Sequence, residues 1–185
     1  MLMTALKAAT AQQHRLLEAV VDPSRADLTR DGYVALLRKF HGFLHPWERL
    51  IASCLSGRLL EIFNYRRKLP WLAADLQALD PPGRTPPPDC PNLPPIQRTA
   101  AAIGSWYVIE GSTLGGQLIT RRLLGRWGLS PEHGLRYFSG YGNATPTNWT
   151  DFRNRAETSV DAAEYQDATA AACDTFDSLR NWFDA

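Results

Sequence analysis

Cysteine is scarce in this 185-residue chain, net charge is almost nil, and long apolar runs are missing. Cys54, Cys90 and Cys173 are scattered and odd in number, with no CxxC pair. That argues against a disulfide framework and fits reduced thiols with no catalytic role. The 20 Lys and Arg residues offset 19 Asp and Glu to leave a net charge of +1. No overall field therefore draws in nucleic acid or an anionic membrane, and any anion site has to be local. No run of about 18 apolar residues occurs, and "MLMTALKAAT" passes straight into an amphipathic pattern, which predicts a cytoplasmic protein with no membrane span. The GxGxxG fingerprint of flavin and nicotinamide folds is absent too.

Alternating Val/Ile/Thr strands are also missing, and what remains is helical periodicity. Residues 2–21 form one amphipathic stretch, with Thr4 as its expected N-cap. A second runs through Tyr33, Leu36, Leu37, Phe40, Phe43, Leu44, Trp47, Leu50 and Ile51. Pro46 predicts a kink in it, and the carbonyl four residues back belongs to Gly42, where there is room for the bend. A shorter helix is expected between Arg66 and Leu79, a long one over 96–127, a short one in "SPEHGLRYFSGYGNATP", another from about Thr147, and a last from near Asp161. Between them, "DPPGRTPPPDCPNLPP" holds 8 of the 13 prolines and reads as a surface connection over about 80–95. With 44% apolar residues and no internal repeat, the chain reads as one all-α domain over 1–185, with seven or eight helices.

Four places carry chemistry. His41 and His45 share a helix face at a spacing that can hold a metal, yet no HExxH or Glu-x-x-His accompanies them. A histidine pair beside a kink is the plainer reading. His14 lies seven residues after Lys7 and four before Glu18, so all three share one face. A carboxylate one turn from an imidazole fixes its tautomer, as beside a metal-bound histidine, and the lysine reaches an anion roughly 10 Å away along the helix.

"YVIEGSTLGGQLITR" places Gly111, Gly115 and Gly116 inside one helix, giving up about 2–3 kcal/mol of helix propensity. Either another helix packs closely on that strip or a flat ligand does, and spacing alone favours the helix. Last, Arg153 and Arg155 follow Trp149 and Phe152 in "WTDFRNRAE", a grouping that suits carboxylates or is simply a solvated face.

Taken in this order, the pieces resemble the heme oxygenase family. "ALKAATAQQHRLLE" is similar to its proximal helix, "LTRDGYVALLRKFH" to the helix that follows, and "EGSTLGGQ" to its glycine-rich distal helix. "FSGYGNATPTNW" with "FRNRAE" is similar to a later region of bacterial members associated with phytochromes. The resemblance implies an all-α fold with heme b, both cofactor and substrate, between a proximal and a kinked distal helix. It makes His14 the iron ligand, Glu18 its partner, and Lys7 and Arg153 contacts for the propionates. Thr10, Tyr107, Gly116 and Phe176 join the pocket wall, and Gly111, Ser112 and Gly115 form the surface where oxygen reacts.

The resemblance further implies cleavage of heme at a meso carbon to biliverdin, carbon monoxide and ferrous iron. O₂ is consumed, and electrons come from an external ferredoxin or reductase. A bacterial phytochrome is the expected recipient of biliverdin. Many members have Asp where Ser112 stands, and mammalian ones have a propionate-contacting Tyr where Trp106 stands, which turns attention to Tyr107. A heme carrier without turnover, or a helical scaffold without heme, are the alternatives these departures leave open.

Overall fold

A computed structural model describes residues 1–80 and 83–185. Its helices are α1 (Leu2–Val20), α2 (Arg30–Cys54), α3 (Gly57–Tyr65), α4 (Leu69–Leu79), α5 (Thr99–Leu123), α6 (Arg136–Ser139), α7 (Thr145–Ser159) and α8 (Tyr165–Asp184). Short 3₁₀ turns at Arg126–Gly128, Gly142–Ala144 and Ala162–Glu164 join the later ones. No strand occurs among the described residues, so the all-α expectation holds. None of these helices is long and apolar enough to cross a membrane.

Two helices lie along α8: α1 on one side and α5 on the other. The approach of α5 to α8 is close because the contact is built from small residues. A Cβ on Gly104 would lie 1.9 Å from the Ala168 carbonyl, and Ala100, Ala171 and Ala172 are buried beside this crossing. A directed hydrogen-bond chain crosses the core at the same level. The Trp47 indole donates to Ser105 Oγ at 2.8 Å, and the Ser105 and Thr175 hydroxyls pair at 2.7 Å. Thr175 donates onward to the Ala171 carbonyl at 2.7 Å, so every buried donor along the chain is satisfied.

Helix N-termini are capped from a distance. Thr4 is not the cap of α1, which starts at Leu2. The amides of Leu2 and Met3 both donate to the Glu157 carboxylate of α7, at 2.9 Å each. Glu48 of α2 likewise receives the amides of Lys68 and Leu69 at the start of α4, and Asp75 of α4 receives those of Arg136 and Tyr137 at the start of α6. Each carboxylate meets orphan donors and the positive end of a helix dipole. Local side-chain caps are found at α2, where Thr29 accepts from the Gly32 amide, and at the turn before α8, where Asp161 and Glu164 form a capping box.

Helix α2 runs unbroken through Pro46. The Gly42 carbonyl, which loses its helical partner to the proline, accepts the Cys90 amide at 2.8 Å instead. A Cβ on Gly42 would meet the Pro88 carbonyl at 2.2 Å. The room at Gly42 thus admits the proline-rich connection as well as the bend. That connection runs without regular structure from Gly83 to Ile96, while Pro81 and Pro82 fall outside the described residues. Helix α3 lies outside the sequence expectation, and the long helix ends at Leu123 instead of reaching Trp127, because Leu124 turns to ψ 127° and Gly125 follows in the left-handed region at φ 77°.

Candidate functional site

The glycines of α5 do not form one strip. A Cβ on Gly116 would lie 2.5 Å from the Phe138 carbonyl, so α6 packs directly on the backbone there. Gly115 has nothing within 4 Å in the direction of a Cβ, and Gly111 meets only the edge of the Trp149 ring, at 3.6 Å. The helix-packing reading describes Gly116, whereas Gly115 borders open space. Around it Ser112, Leu114 and Leu118 are exposed, the two leucines by 42% and 48%.

The opposite side of this segment is fully engaged. Glu110 is completely buried and accepts from Arg66 Nη1 at 2.6 Å, Lys68 Nζ at 2.9 Å and the Tyr141 hydroxyl at 2.9 Å. Lys68 Nζ also donates to Tyr141 Oη. Arg66 continues to the Asn148 carbonyl and to Asp151, which Arg155 also holds at 2.8 Å. Burial pulls the Lys68 pKa down against the pull of Glu110, and pushes that of Tyr141 up with help from the same carboxylate. The Arg155 hydrogen bond holds Asp151 below the usual carboxylate range. Gln117 adds a bond from its side-chain nitrogen to the Gly142 carbonyl.

Across the cleft, α1 is buried at Leu2, Met3, Leu6 and Thr10 and largely uncovered beyond them. His14 is 57% exposed. Its Nδ1 lies 3.3 Å from Glu18 Oε2, and its ring stands edge-on to Phe176 of α8, centroids 5.6 Å apart. Lys7 is exposed and makes no ion pair among the described residues. Helices α1 and α5 touch little. Near one end Thr10 lies by Tyr107. At the other, Arg122 reaches Ser24 at 3.2 Å, and Arg126 binds the carbonyls of Arg25 at 3.0 Å and Ala26 at 2.9 Å. The result is a cleft with α8 as its floor.

Of the residues singled out from sequence, the structure brings His14, Glu18 and Phe176 together on the α1 side, while Gly111, Ser112 and Gly115 lie along α5. Tyr107 is half-buried, its phenol raised in pKa by burial while Thr10 and Arg153 pull the other way. Thr10 is buried, its hydroxyl donating to the Leu6 carbonyl at 2.8 Å. Arg153 is exposed and unpaired among the described residues, whereas Arg155 is committed to Asp151. Ser112 donates to the Ile109 carbonyl at 2.8 Å, and its hydroxyl lies by the Tyr137 phenol. Trp106 is buried between Phe63 and Phe152 and belongs to the core. His45 pairs with Asp89 at 2.9 Å, and its ring stacks on His41, whose pKa burial and His45 lower. No third ligand joins them among the described residues.

Two other concavities lie apart from the cleft. A small apolar gap beside Ile62, Ile103, Trp106 and Phe152 sits within the core packing. The groove along α2 and α4 has both its guanidiniums, Arg38 and Arg84, paired to Asp80. Sequence reasoning missed Trp149 as a cleft residue, and it missed the Glu110 cluster. A lone acid in the apolar stretch 100–110, opposite the basic run Arg66–Lys68, was the available signal for the latter.

The cleft suits a flat, largely apolar ligand carrying anionic groups at one end, with an imidazole on one wall and bare backbone on the other. Comparison with known proteins agrees. The family model described as heme oxygenase matches residues 1–185. A protein named heme oxygenase from Xanthomonas campestris pv. campestris (strain 8004) is 36% identical over 144 residues, covering 77% of this chain and 82% of that one.

Proposed function

Since the chain belongs to the heme oxygenase family and is a heme-degrading enzyme, we propose that it acts as one domain over 1–185, holding heme b in the cleft between α1 and α5. His14 is the iron ligand in this reading. Its Nδ1 faces the Glu18 carboxylate, which keeps that nitrogen protonated and turns Nε2 outward as a neutral donor. Lys7 and Arg153, both exposed and unpaired among the described residues, supply cations for the propionates beside Tyr107. Phe176 supports the imidazole edge-on. Thr10 acts through Tyr107, and Gly116 by seating α5 on α6.

When bound, heme supplies the iron at which O₂ reacts and the porphyrin that is cleaved, at one meso carbon, to biliverdin, carbon monoxide and ferrous iron. The chain's part is to shape the space. Gly115 presents backbone in place of a side chain, Gly111 does so beneath the edge of the Trp149 ring, and the face from Ser112 to Leu118 carries no carboxylic acid. With no side-chain acid on this face, the chain would offer an oxygen bound there only backbone and the Ser112 hydroxyl, and would not supply the general acid that drives a peroxidase-type outcome. Electrons come from a separate ferredoxin or reductase. The likeness of residues 138–149 and 152–157 to phytochrome-associated members makes a bacterial phytochrome the acceptor we propose for biliverdin.

One observation carries the reading. Gly115 borders open space while the exposed His14 is held between Glu18 and Phe176 on the other wall. Titration with hemin tests it. A sharp Soret band that collapses in His14→Ala is expected, followed under reductant and air by its loss and by growth of biliverdin absorption. A Soret band indifferent to His14→Ala would sink the ligand assignment, and one that persists under reductant and air would leave a carrier.

A further inference from the structure

The open face of α5 is closed at one end by an indole. Trp149 Cη2 and Cζ3 lie 3.6 and 3.7 Å from the position of a Cβ on Gly111, and these are the only atoms within 4 Å of it. One turn further along α5, roughly 6 Å by helical rise, Gly115 has none. The indole is firmly placed. It stacks on Phe152 with centroids 5.6 Å apart and planes 20° from parallel, and it rests on Tyr107 at 5.7 Å. Just before it, the Asn148 carbonyl receives the buried Arg66 guanidinium at 3.0 Å.

Helix α7 runs alongside α5 so that Arg153 lies near Tyr107 and Trp149 stands over Gly111. The wall is therefore graded along its length: cationic and phenolic at Tyr107, shut at Gly111, open at Gly115. On the reading of this cleft as the heme site, we propose that Trp149 is a specificity-determining residue. It denies the Gly111 end to small ligands and to the ring edge, so that only the edge beneath Gly115 is available for oxidation. Regioselectivity then rests on an aromatic stop as well as on the propionate contacts.

The test uses the full chain loaded with hemin and two readouts. One is the ratio of biliverdin isomers, separated by chromatography. The other, independent of turnover, is the pattern of heme-methyl proton resonances in the ferric cyanide complex, which reports ring seating. Wild-type protein is expected to show one dominant isomer and one methyl pattern. In Trp149→Ala the isomer ratio falls by about tenfold or more, the scale on which loss of one pocket contact relaxes selectivity, and a second methyl pattern appears. Trp149→Phe, which keeps a ring against Gly111, restores both.

Wild-type ratio and methyl pattern in Trp149→Ala would overturn the proposal. If that variant does not fold, Trp149→Leu decides in the same way, since it removes the ring while keeping apolar bulk. Absence of a His14-dependent Soret band in the wild-type protein would overturn the heme assignment itself, a result distinct from unchanged regiochemistry.

Discussion

Between Glu110 and Leu118, helix α5 presents one face on which each side chain has a partner and another left to solvent. On the first, Glu110 lies inside a cage of Arg66, Lys68 and Tyr141, Gly116 touches the α6 backbone, and Gln117 holds the Gly142 carbonyl. On the second, Ser112, Leu114, Gly115 and Leu118 are exposed. A segment with three glycines is a poor helix by propensity. The engaged face is what allows the other to remain bare. Glycine has two uses on this one helix, contact at Gly116 and vacancy at Gly115, and substitutions at the two positions separate them.

The largest effect is expected at Glu110. Removing it leaves the buried Lys68 without its carboxylate and Arg66 with only the Asp151 carboxylate, and losing one partner of a buried ion pair costs about 3–5 kcal/mol. Denaturant unfolding of heme-free Glu110→Ala measures this, and a loss under 1 kcal/mol would mean that the cluster does not brace α5. Next comes Gly116→Ala, whose new methyl has to displace the Phe138 carbonyl. Overpacking of this kind costs about 1–3 kcal/mol, visible as a lowered Tm without hemin. The smallest effect has the opposite sign. Gly115→Ala adds a methyl that meets nothing, and the heme-free protein gains about 0.4–1 kcal/mol by the usual glycine-to-alanine advantage. Destabilisation there would erase the contrast between the two faces.

Much of the fold was legible because it rests on local periodicity. The stripes of α2 and α8, the stop imposed by the proline-rich segment and the all-α class need no knowledge of distant residues. What was not legible depends on partners far along the chain. Nothing near Met1 announces that Glu157 caps α1. The nine residues of α3 bury only Phe63, too little to make a stripe. Spacing alone treats Gly111, Gly115 and Gly116 as one strip, although the last two differ by a rotation of about 100° around the helix axis and face different neighbours. Arg153 and Arg155 look alike in sequence, and only Asp151 and the fold distinguish the free guanidinium from the committed one.

The anchoring of α1 has a mechanical consequence. Its first turns are fixed by the Glu157 cap and by burial of Leu6 and Thr10, and the chain that leaves it is tied to Arg122 at the end of α5 and to Arg126 in the turn that follows. The stretch that carries His14 is thus a beam supported at both ends. Such a beam bows under load but cannot swing. The side of the fold that carries His14 is therefore set by a helix held at both ends.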